Sequence, residues 1–268
     1  MSYSPYAPPR NDPGPYGGGH YAQYPYQALG WKTTVTMVGI AATVALAAAQ
    51  TGASLAFPDV LKHPVPENLG IILALGLLSL VAGGIGILTW IFFLVWMHQA
   101  AKNVRAFGQT GLEYTPGWCV GWWFIPLMSL WKPFDAMREI WKASDPESVG
   151  PGAQREWRAS PVPATMGLWW GVYILNGVVG IVIALSHLDL SGGKATVAVG
   201  PENFVSHGLY AIAGVLIIMV MRQLAQRQSA AAERLTSGGA QAGPPAGPGA
   251  YEQPNPYAPQ ASGANPYT

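Results

Sequence analysis

The side chains able to do chemistry are few and widely spaced. The five histidines (His20, His63, His98, His187 and His207) and the single cysteine (Cys119) are far apart in sequence. A metal centre or proton relay needs such groups gathered at ligand spacing. His98, His187 and His207 instead fall near the ends of apolar stretches, where an interfacial polar side chain is the ordinary explanation. One cysteine forms no intramolecular disulfide. No HExxH, GxSxG, Walker-type phosphate loop or Cys/His metal set occurs. No catalytic, cofactor-binding or metal-binding residue is therefore assigned, no cofactor is implied, and the chain reads as non-enzymatic.

Two polar groupings remain. Arg105, Arg138 and Glu139 could form an ion-pair cluster where the polar extension of one apolar helix meets a helix of the loop that follows. Alternatively they are separate charges at a bilayer surface, where each Lys or Arg near an anionic leaflet contributes about 1 kcal/mol. Asn176 is the most polar side chain inside an apolar stretch. It is expected to hydrogen-bond to a neighbouring helix, with a substrate or pore role as the alternative. Asp, Glu, Lys and Arg are otherwise missing from these stretches, which argues against a proton-coupled transporter.

The elements that hold these residues are set by where charge is scarce. Of 268 residues, 50% are hydrophobic and 10% charged, against about 25% charged in soluble domains. The net charge of +1 leaves no footprint for nucleic acid. Four stretches approach or exceed the ~20 apolar residues that cross a bilayer: TM1 at 33–56, TM2 at 69–97, TM3 at 164–186 and TM4 at 204–221. Twelve of the 14 Lys and Arg lie in the N-terminal tail, the 98–163 loop and the C-terminal tail. Only Lys62 and Lys194 lie in the two other connections. This bias predicts four spans with both termini in the cytoplasm. The expected fold class is an all-α membrane protein in which residues 31–236 form the membrane domain.

Within the 98–163 loop, TM2 continues as a polar helix through HQAAKNVRAFG and ends where Gly108 and Gly111 permit a turn. Residues 114–131 are uncharged but broken by Gly117, Gly121 and Pro126, with Trp118, Trp122, Trp123 and Trp131 suited to headgroup depth. They read as a re-entrant or interfacial element rather than a fifth span. An amphipathic helix over 133–144 follows, with Pro133 in its first turn and Phe134, Met137, Ile140 and Trp141 on one face. It would lie on the bilayer or cap the bundle. Gly167, Gly171, Gly177 and Gly180 on TM3, with Ala82, Gly83, Gly84 and Gly86 on TM2, are expected to allow close helix packing within the chain.

Asn103 and Arg105 in KNVRAFG, the aromatic end of TM2, and the run TPGWCVGWWFIPLMSLWKPFDAMREIWKAS resemble the bacterial domain of unknown function 4328 family. That run holds Trp122, Trp123, Pro126, Pro133, Arg138 and Glu139. The resemblance extends over most of 35–225 and implies a multi-span bacterial membrane protein, for which the expected location is the inner membrane. It brings no activity or catalytic residues.

The tails, 1–30 and 237–268, hold 13 of the 24 prolines and 9 of the 12 tyrosines, with SPYAPP, NPYAP and NPYT recurring. They have no apolar periodicity and are expected to be disordered. The leading functional reading is a membrane adaptor or scaffold working through the loop and tails. Its expected partners are anionic lipid headgroups, a cytoplasmic protein bound by the tails, and a second copy of the chain. The alternative is a small channel or transporter for a neutral or amphipathic solute. An intramembrane enzyme is a distant third.

Overall fold

The computed structural model describes residues 24–57, 60, 66–150, 153–186 and 202–241. These are helical throughout apart from turns and short links. The helices are α1 (Gly30–Ala56), α2 (Leu69–Ala106), α3 (Pro116–Gly121), α4 (Lys132–Ala143), α5 (Ala164–Ser186) and α6 (Glu202–Gln241). Four of them, α1, α2, α5 and α6, are long and apolar enough to cross a membrane. His20, His63 and His187 lie outside the described residues, as do residues 1–23 and 242–268 of the two tails.

The long helices pack in the order α2–α1–α6–α5. Glycine makes two of these approaches possible. A Cβ on Gly39 would collide with the Thr89 side chain of α2, and one on Gly214 would come within 3.1 Å of Ile40 and 3.2 Å of Val44 on α1. The glycines expected to serve this purpose do not. Added Cβ atoms at Gly83, Gly84, Gly167, Gly171, Gly177 and Gly180 would meet nothing, and one at Gly86 would only touch Thr43 at 4.0 Å. Those positions face away from the neighbours that α2 and α5 actually use. Polar ties add to the packing: Trp96 donates to Thr33 at 2.9 Å, Tyr210 to Thr43 at 2.9 Å, and Gln50 to Ser79 at 3.2 Å. Thr51 and His207 are joined at 2.7 Å.

Two helices outrun any bilayer. At 1.5 Å per residue, the 38 residues of α2 extend ~57 Å and the 40 of α6 ~60 Å, against a hydrocarbon core of ~30 Å. Their surplus lies at one end. There it packs with residues 24–29, α3, α4 and the 146–160 segment into an end domain. This end holds most of the fully buried side chains, including Met97, Ala100, Met137 and Leu224. The apolar stretches of α2 and α5 are mostly exposed.

The sequence reading ended TM4 at 221 and began a tail at 237, but α6 is one helix to Gln241. Residues 222–235 are rich in Ala, Gln, Arg and Leu, all good helix formers. Leu224, Gln228, Ala231 and Leu235 recur on one face and are drawn into the end domain. The N-terminal tail is likewise shorter than 1–30. Residues 24–29 dock on α2, with Leu29 buried and the Tyr26 ring 5.6 Å from Phe107.

Local signals end the elements as the residue types require. Gly108 closes α2 at φ +78°, its N–H donating to Arg105 O at 2.9 Å. Gly111, at φ +68°, lets its carbonyl take a 2.6 Å bond from Arg158. Pro133 and Asp135 occupy the first turn of α4 and Lys142 the last. Ser144 caps it, and Asp145 accepts from the Glu147 amide to start the next turn.

Candidate functional site

The end domain is organised around Asn103, which is fully buried. Its Oδ1 accepts from the Gln27 amide (3.1 Å) and Gln99 Nε2 (3.0 Å). Its Nδ2 donates to Gln27 O (2.8 Å) and Gln228 Oε1 (2.8 Å). A carboxamide offers two donors and two acceptor lone pairs, and all are used. Gln228 Nε2 carries the network on to Ala100 O and Ser144 Oγ, both at 3.0 Å. One side chain of α2 thus ties the N-terminal segment to α6, and through Gln228 to the end of α4.

Beside it sits a second buried group. Asp145, nearly inaccessible, is 3.1 Å from Arg227 and 3.3 Å from Arg155. Arg227 also donates to Trp141 O and to Ser160 Oγ, and lies over the Trp141 ring at 5.2 Å. None of Gln27, Gln99, Ser144, Asp145, Arg227 and Gln228 was picked from the sequence as a site residue. Only the period of Leu224, Gln228, Ala231 and Leu235 could have pointed to one of them.

Arg105 and Glu139 meet through the turn at 113–114 rather than in a three-residue cluster. Arg105 donates to Ala101 O at 2.9 Å and to Tyr114 O. Glu139 accepts from the amides of Glu113 (2.6 Å) and Tyr114 (3.1 Å). Burial pushes the Glu139 carboxyl above the ordinary carboxylate range, opposed by those two amides and by Arg105. Arg138 does not join them. It pairs instead with Asp135 one turn earlier at 3.4 Å, although it lines the same open cleft as Glu139. Cys119 is sealed against this group, and burial pushes its thiol up to about 12.

Lys132, Arg138, Lys142 and Arg158 surround Glu113, Asp135 and Glu139 in an open cleft of about 460 Å³. The Glu113–Lys132 pair spans 3.4 Å.

The 114–131 segment leaves and returns at the same end: Lys132 Nζ donates to Tyr114 Oη at 3.1 Å. Thr115 caps α3, His98 is 2.9 Å from Pro116 O, and Pro126 lies exposed at the far tip. Pro133 is buried. Trp122 remains near Lys132, with 5.8 Å from the cation to its ring, and against Trp118 at 4.7 Å. Trp123 goes elsewhere. It donates to Met97 Sδ at 3.4 Å and sets its ring edge-on to Phe93, Trp170 and Tyr173 at 5.6 to 5.9 Å.

That aromatic group forms one end of an apolar crevice of about 220 Å³, lined by all four long helices and by Trp123. The helices α2 and α5 meet there through Phe93 and Trp169, 6.4 Å apart, without packing along their lengths. Asn176 lines the crevice and accepts from Ser206 of α6 at 3.0 Å. The residues picked from the sequence therefore separate into three places: Asn103 at the hub, Arg105 and Glu139 beside the charged cleft, and Trp123 with Asn176 at the crevice.

Among the described residues, no three His, Cys, Asp or Glu side chains stand close enough to hold a metal ion. Neither a curated protein nor a solved structure matches the sequence. The family model of a domain of unknown function, DUF4328, matches residues 71–226. That stretch is more than half of the chain and takes in Asn103, the 114–131 segment, α4, the crevice lining apart from Ile40 and the α6 face up to Leu224, so the chain belongs to the DUF4328 family.

Proposed function

We propose that the protein is a non-enzymatic, multi-pass adaptor of a bacterial inner membrane, with the end domain and both termini in the cytoplasm. The observation that carries this reading is the docking of residues 24–29 and the distal half of α6 on one domain through Asn103 and Gln228. Both flanking segments are thereby tied to the same end domain. The Lys and Arg bias supports the orientation.

In this reading α4 and the Trp-rich segment rest at the headgroup level. Trp118, Phe124, Leu127 and Trp131 are exposed there, and cations of the cleft face anionic lipid. Residues 1–23 and 242–268 carry the Pro/Tyr motifs that would bind a cytoplasmic protein.

The test is crosslinking in native membranes, comparing the full chain with one lacking 1–23 and 242–268. That shortened chain keeps the docked segment. The expected result is a defined set of soluble proteins on the full chain that is lost with the tails. Identical recovery from both chains would overturn the reading.

One observation favours a second reading, a carrier of a neutral or amphipathic solute: the crevice between α2 and α5.

A further inference from the structure

We infer that the crevice is a binding site for a neutral ring compound with a carbonyl acceptor and a long hydrocarbon tail, the chemistry of an isoprenoid quinone. The inference goes beyond the adaptor reading and survives its failure.

Size comes first. A cavity of about 220 Å³ is modestly larger than the ~150 Å³ apolar cavity that takes up benzene. It fits one substituted ring and is too small for a whole lipid. The walls suit a ring as well. Trp90, Phe93, Trp123, Trp169 and Tyr173 line it, and aromatic faces and edges gain from offset or edge-on contact with a planar partner.

Charge narrows the class. No Asp, Glu, Lys, Arg or His lines the crevice, so an ionised ligand would be buried without a partner at high cost. Besides the indole N–H groups its polar side chains are Asn176, Thr89 and Tyr210, and the two hydroxyls already donate to Ile85 O and Thr43 Oγ1. Asn176 Oδ1 is occupied by Ser206, which leaves its Nδ2 to donate to a ligand carbonyl.

Depth narrows it further. Asn176 stands near the middle of the 23-residue α5, roughly 18 Å from its start. A phospholipid keeps its hydrogen-bonding groups at the surface. A ligand whose polar group works at mid-membrane depth must itself dissolve in the bilayer. The gap between α2 and α5 gives it a way in from the side and lets its tail remain in lipid.

The experiment uses the purified full chain in nanodiscs and a short-chain benzoquinone with a single prenyl tail, read by quenching of tryptophan fluorescence. Gly86 lines the crevice, and a Cβ there has room, so Gly86→Leu plugs the site without a backbone clash. Gly84→Leu places the same bulk where nothing is met and serves as the control. Asn176→Leu removes the donor.

Saturable quenching is expected for the wild type and Gly84→Leu. Apparent affinity should fall roughly tenfold in Gly86→Leu and in Asn176→Leu, the loss of ~1.4 kcal/mol of contact in each. Quenching that rises linearly with quinone and equally in all four proteins overturns the inference. So does saturable binding that Gly86→Leu leaves unchanged. A saturable change in tryptophan emission with a long-chain fatty alcohol, and none with the quinone, makes the crevice an acyl-chain slot and also overturns it.

Discussion

Replacing Asn103 with Ala tests whether the end domain is held by one side chain. Four hydrogen bonds of 2.8 to 3.1 Å disappear, each with a net contribution of about 1 kcal/mol. The partners left behind are two backbone groups of residue 27 and the carboxamides of Gln99 and Gln228. They regain part of the loss from water entering the vacated space. The expected cost is therefore about 3–5 kcal/mol, a large share of a total stability of about 5–15. Asn103→Asp should do no better, since it turns the Nδ2 donor into an oxygen facing Gln27 O and Gln228 Oε1. Gln27→Ala is the contrasting change. Asn103 holds the backbone of residue 27, whose side chain is exposed, so this variant should lie within about 0.5 kcal/mol of wild type. The assay is reversible denaturation in detergent, paired with limited proteolysis across 24–29, which should become cleavable in Asn103→Ala alone. A cost under about 1 kcal/mol for Asn103→Ala, or an equal cost for Gln27→Ala, would refute the reasoning.

Three further outcomes follow from the same geometry. With its thiol pushed up to about 12, Cys119 is thiolate in only about one molecule in ten thousand at pH 8; alkylation by iodoacetamide should be negligible in the folded protein and prompt once it is unfolded. The raised Glu139 carboxyl means the folded state holds that proton more tightly than the unfolded state. Its contribution is complete below ~4.3 and is lost as pH rises through the higher folded value, so the melting temperature of Glu139→Gln should gain on wild type over that range and then level off, and a change in the opposite direction would count against it. Gly39→Ala should cost about 1–3 kcal/mol by overpacking, because its Cβ overlaps Thr89, whereas Gly171→Ala should be neutral or slightly stabilising in the same denaturation assay.

The four long helices, the glycine turn after α2 and the stop after α4 were legible because each rests on local chemistry. Uncharged length, Gly108 and Gly111, and the end of the amphipathic pattern at 144 all carry their signal locally. The hub was legible only as Asn103. Its partners at 27 and 228 are 76 and 125 residues away, and nothing local marks Gln228 as buried rather than solvated. Residues 24–29 read as tail because residue 27 is held by its backbone, and the two side-chain anchors, Tyr26 and Leu29, are too few to make a periodic pattern. Trp123 read as one of several interfacial tryptophans, and only the bend of the 114–131 segment separates it from Trp122. The glycine expectation failed for a related reason: composition shows where close approach is allowed and is silent about which face has a neighbour.

The unbroken run of α2 from the crevice to the hub makes it a lever. Gly86 and Asn103 sit 17 residues apart on one helix, or ~26 Å. A tilt of about 5° at Gly86 displaces Asn103 by ~2.2 Å, several times the spread of hydrogen-bond lengths. Anything that wedges α2 away from α5 must then either bend a helix or release the grip on residue 27. The stiffness of that rod sets how far a disturbance at the crevice is felt at residue 27, where the N-terminal segment is held.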